Sequence, residues 1–474
     1  MPFQRWCLLL AALVYLTAAW FGVGYSSEDE QRHVIEFAEA LRGNIPQEVL
    51  AVEYPMRIRS MVQPALCAGV FEACDAIGIS DPFNRTLVLR LLTAALALWI
   101  IQGFVRALVP TLPDKLARPF ILLSYFLWFI PVLNIRFAGE AWSGLLFLRG
   151  LSLIITERSK QYLIPGLWFG AAILFRPAVV MLPFGVVLWL VFMQRAAWIN
   201  VLTLLAGGLL VLSLGSLIDS IAYGEPVFTL WNYTRAGVLG EEAWRFTSLP
   251  WYHYFLFIFK YTVPPIALAL LGALGLLIAL RPRHVLVWVI VPFLIAHSLL
   301  PVKEIRFLFP LALLMPWLLI SAWDAASERW PGIARRRALT GIGIAALAVV
   351  NLVALLVAIS TPAGNGRIRL AQVAHERFGA TPVHIACEGD WHMWIPPFYL
   401  AQGSTSEYVE AEASFSAEAA DDERPKLLIT QGDDYADPCI LAISYPRWTL
   451  PFMRLYGLED GFEPLVLRQT NLPQ

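Results

Sequence analysis

Long apolar runs separated by short polar connections occupy most of the chain. The first covers residues 6–24, with Arg5 before it and Glu28, Asp29 and Glu30 after it. Ten more follow, at 86–108, 118–134, 137–155, 162–175, 178–193, 199–221, 254–280, 284–300, 307–323 and 338–360. Most runs have the length and composition of helices that cross a bilayer, so the pattern predicts eleven spans. The first run is long for a cleaved signal peptide and ends without a small-x-small site, so it reads as a retained helix. Residues 61–79 are weakly apolar and carry Glu72 and Asp75, which suggests a helix at the interface or packed on the bundle.

Basic residues set the direction of the spans. With the N-terminus in the cytoplasm, every second connection is basic: Lys115 and Arg118, Arg158 and Lys160, Arg195, Arg281 and Arg283, then Arg329 with Arg335, Arg336 and Arg337. The opposite face receives residues 25–85, 222–253 and the tail from 361, together with short connections holding Arg136, Arg176 and the turn 301–306. Residues 381–387 and 426–430 read as short strands among Gly-, Asp- and Glu-rich stretches. The expected architecture is an all-α polytopic membrane bundle, residues 1–361, with an outer loop 25–85 carrying the catalytic groups. A small α/β domain, residues 362–474, lies outside the membrane.

Composition sharpens this picture. The 474 residues are 58% hydrophobic, 13% aromatic and 15% charged, with a mean hydropathy of +0.62. Soluble domains carry about 25% charge, so a soluble enzyme and a disordered chain are excluded. A net charge of −1 gives no general attraction to polyanions, which excludes a nucleic-acid partner. The five cysteines include no CxxC and no Cys/His pair at zinc spacing, so no metal site is expected. Cys387 and Cys439 lie in the polar tail, where they form a bridge or remain two free thiols according to the compartment.

The polar clusters fall on the outer face. Ser27-Glu28-Asp29-Glu30 sets three carboxylates side by side at a membrane surface, where burial would raise the pKa of one of them into the range of a base; a solvated acidic loop is the simpler alternative. Glu53-Tyr54, followed by Arg57 and Arg59, supplies guanidiniums suited to a phosphate or to lipid headgroups. Lys303-Glu304-Ile305-Arg306 puts two cations and a carboxylate in a tight turn at the mouth of a bundle, a costly placement unless they are paired or used. Arg136 and Arg176 sit in other outer connections as anchors or ligands, and Arg149 lies inside a span.

Taken in order, these clusters resemble glycosyltransferase family 22, the lipid-phosphate-mannose-dependent mannosyltransferases of GPI-anchor and N-glycan precursor synthesis. Ser27-Glu28-Asp29-Glu30 occupies the place of the family's H-P-D-E-x-F-Q motif, matching its Asp and Glu. Glu53-Tyr54 and Ile58-Arg59-Ser60 resemble W-E-Y/W followed by I-R-S, with Val52 in place of Trp. Phe175-Arg176-Pro177 resembles an arginine-proline between spans. Tyr223-Gly224-Glu225-Pro226-Val227-Phe228-Thr229 with Asn232 resembles Y-G-x-W-V-x-T-x-x-N. Lys303-Glu304-Ile305-Arg306-Phe307 resembles H-K-E-x-R-F, with Val302 in place of His, and His384-Ile385-Ala386-Cys387 is similar to a cysteine motif in the tail of GPI members.

The resemblance implies the GT-C architecture. It implies an inverting transfer of mannose, with no cofactor, from a polyprenyl-phosphate donor to a hydroxyl of a glycolipid or glycan acceptor. The site would be lumenal in an ER membrane or periplasmic in a bacterial plasma membrane. Asp29 is the expected base, with Glu30 as substitute. Arg59, Lys303, Arg306 and Arg176 are the expected ligands of the donor phosphate, and Glu53, Tyr54 and Glu304 support them. Two other readings remain open at this point: transfer of a different polyprenyl-linked sugar, and a lipid-sugar transporter. The charges gathered at one face and the absence of visible repeats speak against the transporter.

Overall fold

The computed structural model describes residues 2–156, 162–239, 249–332, 337–388, 395–409, 424–432, 439–456 and 464–469. Arg158, Lys160, Arg335 and Arg336 lie outside the described residues. Among those described, five helices are long and apolar enough to cross a membrane: Pro2–Phe21, Pro82–Thr111, Trp198–Tyr223, Ile305–Arg329 and Thr340–Ile359. A bent pair, Pro264–Leu280 and Val285–Leu299, passes the same criterion together, the two helices meeting at 119°. Leu163–Phe175 and Pro177–Met193 are shorter apolar helices. The chain is therefore mostly helical and an integral membrane protein.

Prolines break several expected spans. The run 254–280 is two helices, His253–Tyr261 and Pro264–Leu280, with Val263 between them at φ +65°. The prolines that open the second helix have no N–H to continue the first and fit a first turn. The run 118–134 divides into Asp114–Phe126 and Phe129–Leu133. The segment 305–314, with Pro310 inside it, winds as a 3₁₀ helix before the α-helix Met315–Arg329 begins. The weakly apolar segment forms the helix Val62–Ala76, whose Cys67 and Phe71 are buried against Val34, Ala38, Leu89 and Phe137.

Two close approaches shape the bundle near the site. The helices Leu163–Phe175 and Trp198–Tyr223 touch backbone to backbone through Gly166, Gly170, Gly207 and Gly208. A Cβ at Gly170 would lie 2.5 Å from the Gly208 carbonyl oxygen. At the other end, Gly139 opens the helix Gly139–Ile155, and a Cβ there would lie 2.8 Å from the Phe175 carbonyl oxygen. That approach brings Glu140 beside Arg176.

The tail forms a five-stranded sheet in the order β2-β1-β3-β5-β4. These strands are β1 His384–Glu388, β2 Thr405–Val409, β3 Lys426–Gln431, β4 Ile440–Ile443 and β5 Leu465–Gln469. β1 runs parallel to β2 and β3, while β5 is antiparallel to β3 and β4. The helix Arg367–Phe378 covers the sheet, burying Ile368, Leu370 and Ala371 against Ile385, Leu427 and Leu467. Val23, Tyr25 and Phe83 from the bundle enter the same core. Arg367 pairs with Glu28 at 2.6 Å, and the Ala363 amide donates to the Val23 carbonyl at 2.9 Å. Cys387 is buried and forms no disulfide, so the structure holds no Cys387–Cys439 bridge.

Gly170→Val should lower stability by about 1–3 kcal/mol through overpacking between two helices. A lower unfolding temperature of the purified protein in detergent checks this; an unchanged one would contradict the close approach.

Candidate active site

The first helix ends at Phe21 and the chain turns back at once. Two buried arginines cap that end. Arg90 Nε donates to the Ala19 carbonyl at 2.8 Å, and Arg136 Nη1 donates to the Gly22 and Gly24 carbonyls at 2.8 and 2.9 Å. Orphan carbonyls at a helix C-terminus favour such cations. Glu30 turns toward this side, where its Oε2 accepts from the Ser26 amide at 3.1 Å. Burial pushes its carboxyl above the ordinary value, and Arg136, the Ser26 amide and Arg90 offset part of that shift. Glu30 thus stands as a counter-charge to the arginine caps. Neighbouring residues of a helix do not share a face.

Asp29 faces the other way, and its carboxylate is the centre of the site. Arg59 Nη2 and Arg176 Nη1 donate to Oδ2 at 3.2 and 2.9 Å. Arg306 Nη1 lies 2.8 Å from Oδ1, and His33 Nδ1 lies 3.2 Å from the same oxygen. Three arginines from three distant segments therefore meet one aspartate that is 9% exposed. Burial raises the Asp29 carboxyl; Arg59, the hydrogen bond to His33 and Arg176 override it, holding the group well below the ordinary 3.8.

Each partner is fixed from behind. Arg176 ends the helix Leu163–Phe175, where Pro177 forces its backbone to an extended conformation, and its Nη2 lies 3.2 Å from Glu140. Its guanidinium stands 5.3 Å from the Phe307 ring centre. His33 lies one turn beyond Asp29 and places Nε2 3.1 Å from Glu53. Arg306 opens onto Glu304, which accepts from its Nη2 at 2.8 Å. Tyr54 packs between the rings of Phe37 and Tyr223, each 5.1 Å away. Lys303 does not join the cluster: its Nζ donates to the Leu249 carbonyl at 2.8 Å and also to that of Leu300, so it ties the turn together where the sequence suggested a phosphate ligand.

The Arg59 segment is held by the loop that resembles the family's tyrosine-glycine stretch. Arg57 adopts φ +54°, a strained conformation for a side-chain-bearing residue. Asn232 Nδ2 donates to its carbonyl at 3.2 Å, and Tyr223 OH donates to the Arg59 carbonyl at 2.8 Å. Fully buried Asp219 accepts from the Met61 amide, Ser60 Oγ and Thr229 Oγ1 at 2.7, 2.9 and 2.7 Å.

A cavity of about 40 Å³ lies between Asp29, His33, Arg59, Gln63, Glu140 and Arg176, room for a few waters and no sugar ring. Beyond Arg306, Ile305 and Leu308 enter the wall of an apolar chamber of about 270 Å³. A second chamber of about 260 Å³ shares Trp128, Val132, Leu133 and Tyr261 with the first and reaches Ser26, Lys260 and, in the tail, Tyr445 and Phe452. No group of acidic, histidine or cysteine side chains among the described residues could hold a metal ion.

The sequence reading missed His33, Glu140 and Asp219. The i, i+4 spacing of Asp29 and His33 was a usable signal. Glu140 and Asp219 were visible only as isolated acids at the edges of apolar runs.

The fold is that of a GT-C membrane glycosyltransferase. The structure is similar to ArnT from Cupriavidus metallidurans bound to undecaprenyl phosphate, with a TM-score of 0.50, 12% identity and 98% of each chain covered. The apo ArnT structure gives 0.52, 13% and 97% of each chain. The chain belongs to the Alg9-like mannosyltransferase family, whose model matches residues 6–378. It is 27% identical to GPI mannosyltransferase 3 of Yarrowia lipolytica over 292 residues, 59% of this chain and 54% of that protein. It is 32% identical to GPI alpha-1,2-mannosyltransferase 3 of Danio rerio over 103 residues, 22% of this chain and 19% of that one. The match thus spans about half the length of the first relative and a fifth of the second.

Burial pushes Glu53 up, but His33 and Arg59 hold it down at about 2. A depressed carboxyl contributes stability that is complete above its unfolded value of about 4.3 and is lost as pH falls through the folded one. Thermal unfolding of the wild type should therefore weaken between about pH 4 and pH 2, and more steeply than that of Glu53→Gln. Identical slopes would show that Glu53 is unpaired.

Proposed function

We propose that this protein transfers mannose, with inversion, from a polyprenyl-phosphate donor to a hydroxyl of a glycolipid or glycan acceptor on the outer or lumenal face. The observation that carries this reading is the meeting of Arg59, Arg176 and Arg306 on the buried carboxylate of Asp29. The acceptor hydroxyl is a weak nucleophile, and a carboxylate in reach takes its proton as the new bond to the anomeric carbon forms. The bond from that carbon to the phosphate oxygen breaks, and the lipid phosphate leaves with the electron pair. Guanidiniums in a buried pocket stabilise the growing charge without reorganising.

The apolar chamber beside Arg306 suits the donor's isoprenoid chain, because it meets the polar cluster at the point where a phosphate would sit. An eleven-span topology with the N-terminus inside, as the basic connections suggest, would put Asp29 and the tail domain on the same outer face. In this reading residues 1–361 are the catalytic membrane part and 362–474 a domain on that face. Membership in a family of mannosyltransferases supports mannose over another polyprenyl-linked sugar.

Purified protein in nanodiscs should move label from polyprenyl-phosphate mannose to a glycolipid acceptor without any nucleotide sugar. Asp29→Asn should lower kcat by about 10²–10⁴, whereas Glu30→Gln should stay within a few-fold of wild type. Normal turnover of Asp29→Asn would remove the proposed base, and transfer only from a nucleotide sugar would overturn the donor.

A further inference from the structure

Resting on the donor-phosphate reading above, a finer division of labour is visible within the cluster. Oδ2 of Asp29 accepts from Arg59 and Arg176, and Oδ1 lies 2.8 Å from Arg306 Nη1 and 3.2 Å from His33 Nδ1, so four nitrogens crowd the carboxylate. An acceptor hydroxyl reaches it only by displacing one of them. The adjoining cavity of about 40 Å³ is also too small for the sugar. In addition, the three guanidiniums face four carboxylates, Asp29, Glu53, Glu140 and Glu304, so the cluster offers an anion no excess positive charge. As it stands the site is closed to both substrates.

The four partners of Asp29 differ in how firmly they are held. The Arg176 side chain is 6% exposed, paired on its far side with Glu140, itself 3% exposed, and covered by Phe307. The His33 side chain is 8% exposed and bridges to Glu53. The Arg59 and Arg306 side chains are 18% and 17% exposed. Behind Arg306 stand Glu304, 43% exposed, and the Phe307 ring, 5.6 Å from its guanidinium, and Arg59 lies 3.9 Å from Glu53.

We propose that Asp29 is an internal stand-in for the donor's phosphate: the phosphate takes Arg59 and Arg306 from it, while Arg176 and His33 stay as positioning residues that keep the freed carboxylate aimed at the acceptor. Donor binding then both builds the leaving-group pocket and arms the base. No proton leaves the acceptor before a phosphate is in place, and the acceptor enters second. This moves Arg176 from the set of phosphate ligands to the set of base-positioning groups.

The binding arm of the test needs no sugar transfer. Undecaprenyl phosphate is titrated into the full-length protein in nanodiscs. Asp29→Asn should bind it about tenfold more tightly than wild type, a gain of about 1.4 kcal/mol, because the arginines have lost their competitor. Glu140→Gln removes the same charge behind Arg176 and should change affinity less than about threefold. An equal gain in both variants would reduce the effect to net charge, and no gain in Asp29→Asn would overturn the displacement. Arg306→Gln should weaken binding about tenfold, whereas Arg176→Gln should retain it and lose turnover; equal weakening by the two would overturn the division of roles. If Asp29→Asn binds more tightly and the wild type transfers no mannose, the stand-in holds and the mannosyl reading fails; wild-type transfer without tighter binding by Asp29→Asn overturns the stand-in alone.

Discussion

A buried carboxylate surrounded by guanidiniums is the interaction on which this structure turns. Asp29 alone at that depth would be protonated or would destabilise the fold; Arg59, Arg176 and Arg306 unpaired beside one another would repel. With Glu53, Glu140 and Glu304 they offset each other's charges, and every segment that carries one is fixed in place by the meeting. The outer loop after the first helix, the junction at Pro177 and the 3₁₀ turn at Ile305 are held at one point, although Asp29 and Arg306 lie far apart in the sequence. Such a cluster contributes little net stability compared with an apolar replacement. Its presence here therefore points to use.

The neighbourhood is built to hold backbone close to backbone. Gly139 lets the helix that carries Glu140 approach the end of the helix that carries Arg176. The loop 223–232 fastens the Arg57–Ser60 segment by side-chain hydrogen bonds to its carbonyls and through Asp219. Phosphate ligands need this kind of preorganisation, because a guanidinium that must be repositioned during reaction stabilises the leaving group less. The tail domain shares a core with Val23, Tyr25 and Phe83 and pairs Arg367 with Glu28, one residue before Asp29. The sheet is thus mechanically connected to the loop that carries Asp29.

Much of this was legible in the sequence. Hydropathy gave the membrane bundle and the polar tail, and the ordered motifs pointed to the aspartate and to the three arginines that meet it. What escaped has physical causes. Glu30 and Lys303 sit next to true members of the cluster, and adjacency in sequence says nothing about which face a helix or turn presents; one caps a helix end by proxy and the other ties down carbonyls. His33, Glu140 and Asp219 belong to the site only through contacts of the folded chain, so no local pattern marked their partners. The broken spans follow from Pro264 and Pro310, whose effect on a long apolar run is set by what the neighbouring helices can satisfy.

The position of a bound lipid phosphate is the decisive observable. A cryo-electron microscopy structure of the protein in nanodiscs with undecaprenyl phosphate should place the phosphate oxygens within hydrogen-bond reach of Arg59 and Arg306, the isoprenoid chain in the chamber lined by Ile305 and Leu308, and Asp29 held by Arg176 and His33 alone. A phosphate bound elsewhere, with all four contacts of Asp29 intact, would contradict it.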